Sequence, residues 1–133
     1  MVVRRDFQLP VEDIQFLDEY GCPWEAIQDG SLWVLLHDFK TPEGYSHRLV
    51  TAAIRIETGY PHAALDMVYF YPHLVRIDGL EIKATNAVQV IEGKEYQRWS
   101  RHYTAQHPFI LGEHNLGTHI YTIEDWLLRE FRK

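Results

Sequence analysis

The stretch Gln97-Arg98-Trp99-Ser100-Arg101-His102 brings a hydroxyl, an imidazole, an indole and two guanidiniums into six residues. Burying a side chain as large as Trp99 ties its segment to a core, and with the indole fixed Ser100 and His102 take defined positions. A hydroxyl as acyl acceptor and an imidazole as its base form the pairing used for acyl transfer. The same residues also suit a strand end with a buried indole and a solvated basic rim. Asp66, in Leu65-Asp66-Met67, interrupts an apolar run; it reads either as an outward strand residue or as a carboxylate that orients a histidine.

Four of the eight histidines, His102, His107, His114 and His119, fall at spacings of five, seven and five. No zinc signature has those spacings, and no cysteine joins them, so no metal is expected. One or two of these imidazoles as base or oxyanion donor fits better. His102 and His119 are the choices: His102 is two residues from Ser100, and His119 lies one helical turn before Ile123, at the border of an apolar stripe. The single cysteine, Cys22, is expected to be an ordinary half-buried residue. There is no Gly-x-Ser-x-Gly elbow and no Gly-rich phosphate loop, so no cofactor is expected.

These side chains need a core to position them, and 133 residues at 46% hydrophobic suffice for one domain spanning 1–133. A net charge of −6 with a pI near 5.7 argues against nucleic acid as the main partner. One cysteine excludes an intrachain disulfide. No apolar run approaches the ~20 residues of a membrane helix, and the opening Met1-Val2-Val3-Arg4-Arg5-Asp6 lacks a secretory pattern. A cytoplasmic protein away from the membrane is expected.

Residues 1–8 read as a loose or edge segment. Pro10 then opens a helix, with Glu12 and Asp13 at the positive end of its dipole, Ile14, Phe16 and Leu17 as its apolar stripe, and Gly21 as C-cap. Residues 22–27 read as a short helical turn begun by Pro23. Strands follow over 31–39, 48–57 and 65–71, separated by Thr41-Pro42-Glu43-Gly44 and Thr58-Gly59-Tyr60-Pro61. Residues 74–82 read as a short hairpin around Asp78-Gly79, and 87–91 as a further strand before Glu92-Gly93. Pro108, Gly112 and Gly117 mark an irregular segment. Over 118–131, Ile120, Ile123, Leu127 and Phe131 line one helical face, with Arg129, Arg132 and Lys133 at its negative end. The expected class is α+β, helices packed on an antiparallel meander.

Three motifs in this order carry a resemblance: Leu9-Pro10-x-x-Asp13-x-x-Phe16-Leu17; Gly59-Tyr60-Pro61 followed by Leu65-Asp66-Met67-Val68-Tyr69-Phe70-Tyr71-Pro72; and Arg98-Trp99-Ser100-Arg101-His102, a loop, then Thr118-His119. The chain resembles prokaryotic family E of the ubiquitin-conjugating (UBC) fold over almost its whole length. Tyr60-Pro61 resembles the Tyr-Pro that begins the third strand of ordinary conjugating enzymes, and Trp99-Ser100 the Trp-Ser before their next helix. The resemblance implies an N-terminal helix, a four-stranded antiparallel meander, an irregular active-site flap and a C-terminal helix. It also implies partners: a ubiquitin-like modifier, a ThiF-like activating enzyme and a JAB-type peptidase of the same bacterial pathway.

Ordinary conjugating enzymes carry their thioester cysteine about eight residues before this Trp. Here that region reads Val88-Gln89-Val90-Ile91-Glu92-Gly93, with no Cys, Ser or Thr. Tyr71-Pro72-His73 resembles only distantly the His-Pro-Asn that supports the oxyanion in those enzymes. Two expectations follow. In one, Ser100 accepts the modifier's acyl group as an oxyester, His102 or His119 is the base, Asp66 or His73 orients it, and Arg101 or backbone N–H groups hold the oxyanion. In the other, the chain is a non-catalytic UBC variant that grips the modifier or its activating enzyme.

Overall fold

The computed structural model describes residues 3–132. Met1 and Val2 of the expected edge segment, and Lys133 of the expected cationic helix end, lie outside them. Two helices, α1 (Val11–Tyr20) and α2 (Leu116–Arg129), pack on a six-stranded sheet: β1 (Trp24–Asp29), β2 (Ser31–Lys40), β3 (Leu49–Ile56), β4 (Val68–Tyr71), β5 (Val88–Ile91) and β6 (Lys94–Trp99). Strand order is β1-β2-β3-β4-β6-β5, and every pairing is antiparallel. The expected helix–sheet–helix order holds, but the sheet has six strands where the resemblance implied four.

The extra strands are hairpin arms at the two ends of the sheet. Residues 22–27 are not a helical turn: Trp24–Asp29 pairs with β2 along its whole length. Trp24, Glu25, Ala26 and Ile27 are all buried. Trp24 and Ala26 enter the core under the helices, and Ile27 enters a second core on the opposite face. With both faces covered, the period-2 alternation that marks a half-exposed strand disappears. At the far end, β5 and β6 meet across the two-residue turn Glu92-Gly93.

The sheet curls until these ends meet. Glu92 N–H donates to Asp29 Oδ2 at 2.6 Å. The Arg4 guanidinium bridges Glu25, at 2.8 Å from Nε to Oε2, and Glu92. Backbone bonds Asp6 N–H to Ala26 O and Ala26 N–H to Arg4 O cover the β1 edge, a common way of protecting an edge strand. The curl encloses the second core, where Trp33, Leu35, Tyr69, Ile91 and Tyr96 are buried.

Two other expectations are corrected. Residues 74–82 form no hairpin. The Gln97 side chain accepts from Leu74 N–H and donates to Leu74 O, and Ser46 takes both polar groups of the Val75 backbone. These two side chains satisfy both polar groups of Leu74 and the Val75 N–H, and the backbone bonds Ser46 N–H to Val75 O and Ile77 N–H to Gly44 O make one isolated bridge, Tyr45 to Arg76. The strand expected over 65–71 begins only at Val68, because Met67 is left-handed at φ 58° and ends the extended run.

Helix α1 ends at Gly21, left-handed at φ 101°, where glycine carries no Cβ penalty. Helix α2 starts two residues before the expected 118: Asn115 caps Thr118 N–H and Thr118 caps Asn115 N–H, a reciprocal box. Its stripe of Ile120, Ile123 and Leu127 is buried, and Glu130–Arg132 close the chain in a 3-10 turn. Gly117 lets this helix approach α1, since a Cβ there would meet the Phe16 ring at 2.8 Å. Trp99 is fully buried, edge-on to Phe70 and Tyr45, with its indole N–H on Gln97 Oε1 at 3.0 Å. The indole is fastened at the end of β6, so the residues that follow leave the sheet from a fixed point.

Candidate active site

From Trp99 the chain crosses the end of the sheet as an irregular flap and returns into α2. The first turn of this path is set by backbone bonds: Ser100 N–H to Ala84 O, Arg101 N–H to Trp99 O, and Met67 N–H to Arg101 O. The last of these brings the flap beside the residues just before β4, and so His102 beside Asp66.

His102 Nδ1 lies 2.6 Å from Asp66 Oδ2. A carboxylate accepts, so this nitrogen carries the proton, and in the neutral ring Nε2 carries the lone pair. Both side chains reach solvent, at 59% and 38% exposure. No hydrogen bond among the described residues occupies His102 Nε2. Asp66 Oδ1 is buried with no hydrogen-bond partner among the described residues. His102 borders a cleft of about 420 Å³ between the flap and α2, lined also by Tyr103, His107, His114, Asp125 and Trp126. A second cavity of about 460 Å³ holds Asp66 and shares Tyr103, Thr104 and Pro108 with the first. The Tyr103 segment is therefore the wall between them.

Ser100 Oγ accepts from Arg98 Nε at 3.2 Å. A guanidinium donor polarises the hydroxyl toward its alkoxide. No hydrogen bond among the described residues joins Ser100 to an imidazole. His119, on the inner face of α2, is fully buried. Its Nε2 donates to Met67 O at 2.9 Å, since a carbonyl can only accept, and its Nδ1 accepts from the Tyr103 hydroxyl at 2.7 Å. Burial pushes this imidazole down to about 4, so it stays neutral at pH 7 with both nitrogens engaged.

The other expected site residues have partners elsewhere. Arg101 lies over the Trp99 ring at 4.9 Å, pairs with Glu130 at 3.0 Å and donates to Lys83 O. His73 bonds Glu95 O at 3.0 Å. Cys22, between α1 and β1, has its sulfur 3.7 Å from Asp38 O. Burial raises its thiol, and Asp38 and Glu124 add to the rise, opposite to what a thiolate nucleophile needs. Residues Val88–Ile91, where the resemblance would count the thioester cysteine, are the regular edge strand β5. Among the described residues no three His, Cys, Asp or Glu side chains gather as a metal site, and no helix is long and apolar enough to cross a membrane.

Sequence reading missed Arg98 as the partner of Ser100, and Met67 and Tyr103 as the partners of His119. Tyr103 follows His102 directly, so its place was legible once His102 was chosen. The left-handed Met67 left no mark, because methionine is not a residue that signals positive φ.

The model of prokaryotic E2 family E matches residues 9–130. No curated protein and no solved structure matches the chain. The match spans most of the 133 residues and includes β4, the flap and α2, so the chain belongs to prokaryotic E2 family E.

Proposed function

We propose that this member of prokaryotic E2 family E is an acyl carrier of a bacterial ubiquitin-like conjugation pathway that works through a hydroxyl, on a UBC-type scaffold. One observation carries the reading: the Asp66–His102 pair leaves His102 Nε2 open two residues from Ser100, whose oxygen already accepts from a guanidinium. Ser100 Oγ attacks the activated C-terminal carbonyl of the modifier. His102 Nε2 takes the hydroxyl proton, and Asp66 stabilises the imidazolium that forms. The tetrahedral intermediate collapses, the bond to the activating enzyme's leaving group breaks, and His102 returns the proton to that group. In apo sites such nucleophile–base contacts are long and tighten when the acyl donor docks. A ThiF-like activating enzyme supplies the acyl group, and a JAB-type peptidase is the matching hydrolase.

The rise of the Cys22 thiol and its place between α1 and β1 favour the hydroxyl over the sulfur as acceptor. Mixing the chain with a modifier, its activating enzyme and ATP is expected to give an adduct that survives thiol reductants and is cleaved by mild base. Ser100→Ala should abolish it. An adduct that persists in Ser100→Ala, or one released by dithiothreitol, overturns the reading. That no hydrogen bond among the described residues joins Ser100 to an imidazole favours the second reading, a non-catalytic variant that binds the modifier or the activating enzyme. That reading stands if no adduct forms and the complex survives alanine at Ser100, His102 and His119 together.

A further inference from the structure

His119 is fully buried and is not available as a base, yet it makes two well-formed hydrogen bonds. Those bonds end at informative places. Its Nε2 holds the carbonyl of Met67, the residue after Asp66; its Nδ1 holds the hydroxyl of Tyr103, the residue after His102. Asp66 and His102 are the two halves of the open pair. The two segments are also joined directly, Met67 N–H to Arg101 O. Met67 sits in the left-handed region at φ 58°, a conformation that persists only where surrounding contacts hold it.

The geometry points to His119 as a positioning residue that clamps both halves of the Asp66–His102 pair from beneath, through Met67 on one side and Tyr103 on the other; it rests on the assignment of that pair as the base. An apolar residue would fill the same volume. It would leave the Met67 carbonyl without its donor, at the cost of an unmade buried hydrogen bond, and the Tyr103 hydroxyl without its acceptor on α2, with Thr122 as its remaining partner. The Tyr103 ring is further held by Phe109, edge-on at 5.3 Å, and by Trp126 at 6.3 Å. Removing the hydroxyl alone therefore loosens the clamp while keeping the packing. Because His119 joins α2 to both sides of the pair, its bonds set the distance between Asp66 and His102 rather than the stability of either element alone.

Histidine-selective ¹⁵N NMR of the isolated protein at alkaline pH reads this without any modifier. In the parent, His102 is expected as one tautomer, proton on Nδ1, held by Asp66. In His119→Leu, which makes neither bond, the His102 tautomers should mix and the two ring nitrogen shifts converge. His119→Gln places an amide donor where Nε2 was, and His119→Asn an acceptor where Nδ1 was, so each should restore part of the bias. Tyr103→Phe should mix the tautomers partly on an intact fold, and it decides the matter should His119→Leu fail to fold. The single-turnover adduct rate should fall about tenfold or more in His119→Leu and be partly recovered in His119→Gln. The inference is overturned if folded His119→Leu keeps the parent tautomer of His102, or, should that variant not fold, if Tyr103→Phe keeps it. A parent with an ordered His102 that depends on His119, but with no adduct, supports the clamp and removes the acyl-carrier reading instead.

Discussion

Two histidine–carboxylate pairs among the described residues, one across β1 and β2 and the other between the flap and the residues before β4, differ in what is left over. At the closed seam, His37 Nε2 lies 2.8 Å from Glu25 Oε1, while its Nδ1 faces the Thr51 hydroxyl at 3.3 Å. Glu25 is buried and also receives Arg4 Nε and Nη2, and hydrogen bonding to Arg4 holds its carboxyl down at about 2. Every valence there is spent on closing the curl. At the flap, His102 meets Asp66 at 2.6 Å, its second nitrogen is open, and one carboxylate oxygen has no hydrogen-bond partner among the described residues. A histidine beside a carboxylate is thus no sign of chemistry by itself. The two differ in unspent bonding capacity, which among the described residues the second pair keeps and the first does not.

The sharpest way to break that contrast is to remove each imidazole in turn. His102→Ala is expected to slow single-turnover adduct formation by 10²–10⁴-fold, the usual worth of a positioned base. His37→Ala should change the rate less than twofold. Equal losses would make the two pairs equivalent and end the distinction.

Stability should show the reverse. Glu25→Ala leaves Arg4 and His37 without their shared carboxylate inside the seam. Breaking a buried ion pair costs several kcal/mol, and Arg4 is 40% exposed, so a loss of about 2 kcal/mol is expected in urea unfolding. Asp66→Ala, at an exposed pair, should cost less than about 1 kcal/mol.

The pH dependence of stability separates the buried imidazole from the seam carboxylate. His119 is lowered from 6.5 to about 4 by burial, so between those values the unfolded chain binds a proton that the folded chain does not. Stability should therefore fall as pH drops from 6.5 toward 4, by at most ~1.4 kcal/mol per pH unit. Glu25, lowered from 4.5 to about 2, adds a second loss as pH drops through that range. His119→Gln should flatten the upper window and leave the lower one. The smallest expected effect is Cys22→Ser, which should leave the adduct rate within twofold, since its thiol lies against Asp38 O between α1 and β1.

Local signals made much of this legible. Gly21, Asp29-Gly30 and Glu92-Gly93 punctuate the chain where the structure turns, and the stripe Ile120, Ile123 and Leu127 is the buried face of α2. What stayed hidden was set by distant partners. Trp24–Asp29 carries no alternation because the curl covers both its faces, and 74–82 looks like a hairpin until Gln97 and Ser46 take its backbone groups. At the site, Ser100, His102 and Asp66 could be chosen by residue type, and the last two are hydrogen-bonded. The double bond of His119 to Met67 and Tyr103 could not be chosen that way, because it depends on how α2 docks beneath the flap.

The central claim is that acyl transfer here passes through one hydroxyl, and peptide mass spectrometry of the trapped adduct tests it most directly. The modifier's C-terminal acyl group should be found on the peptide holding Trp99-Ser100-Arg101, ester-linked to Ser100 and released by mild base. Its appearance on Cys22 or on a lysine, with Ser100 unmodified, would contradict the account.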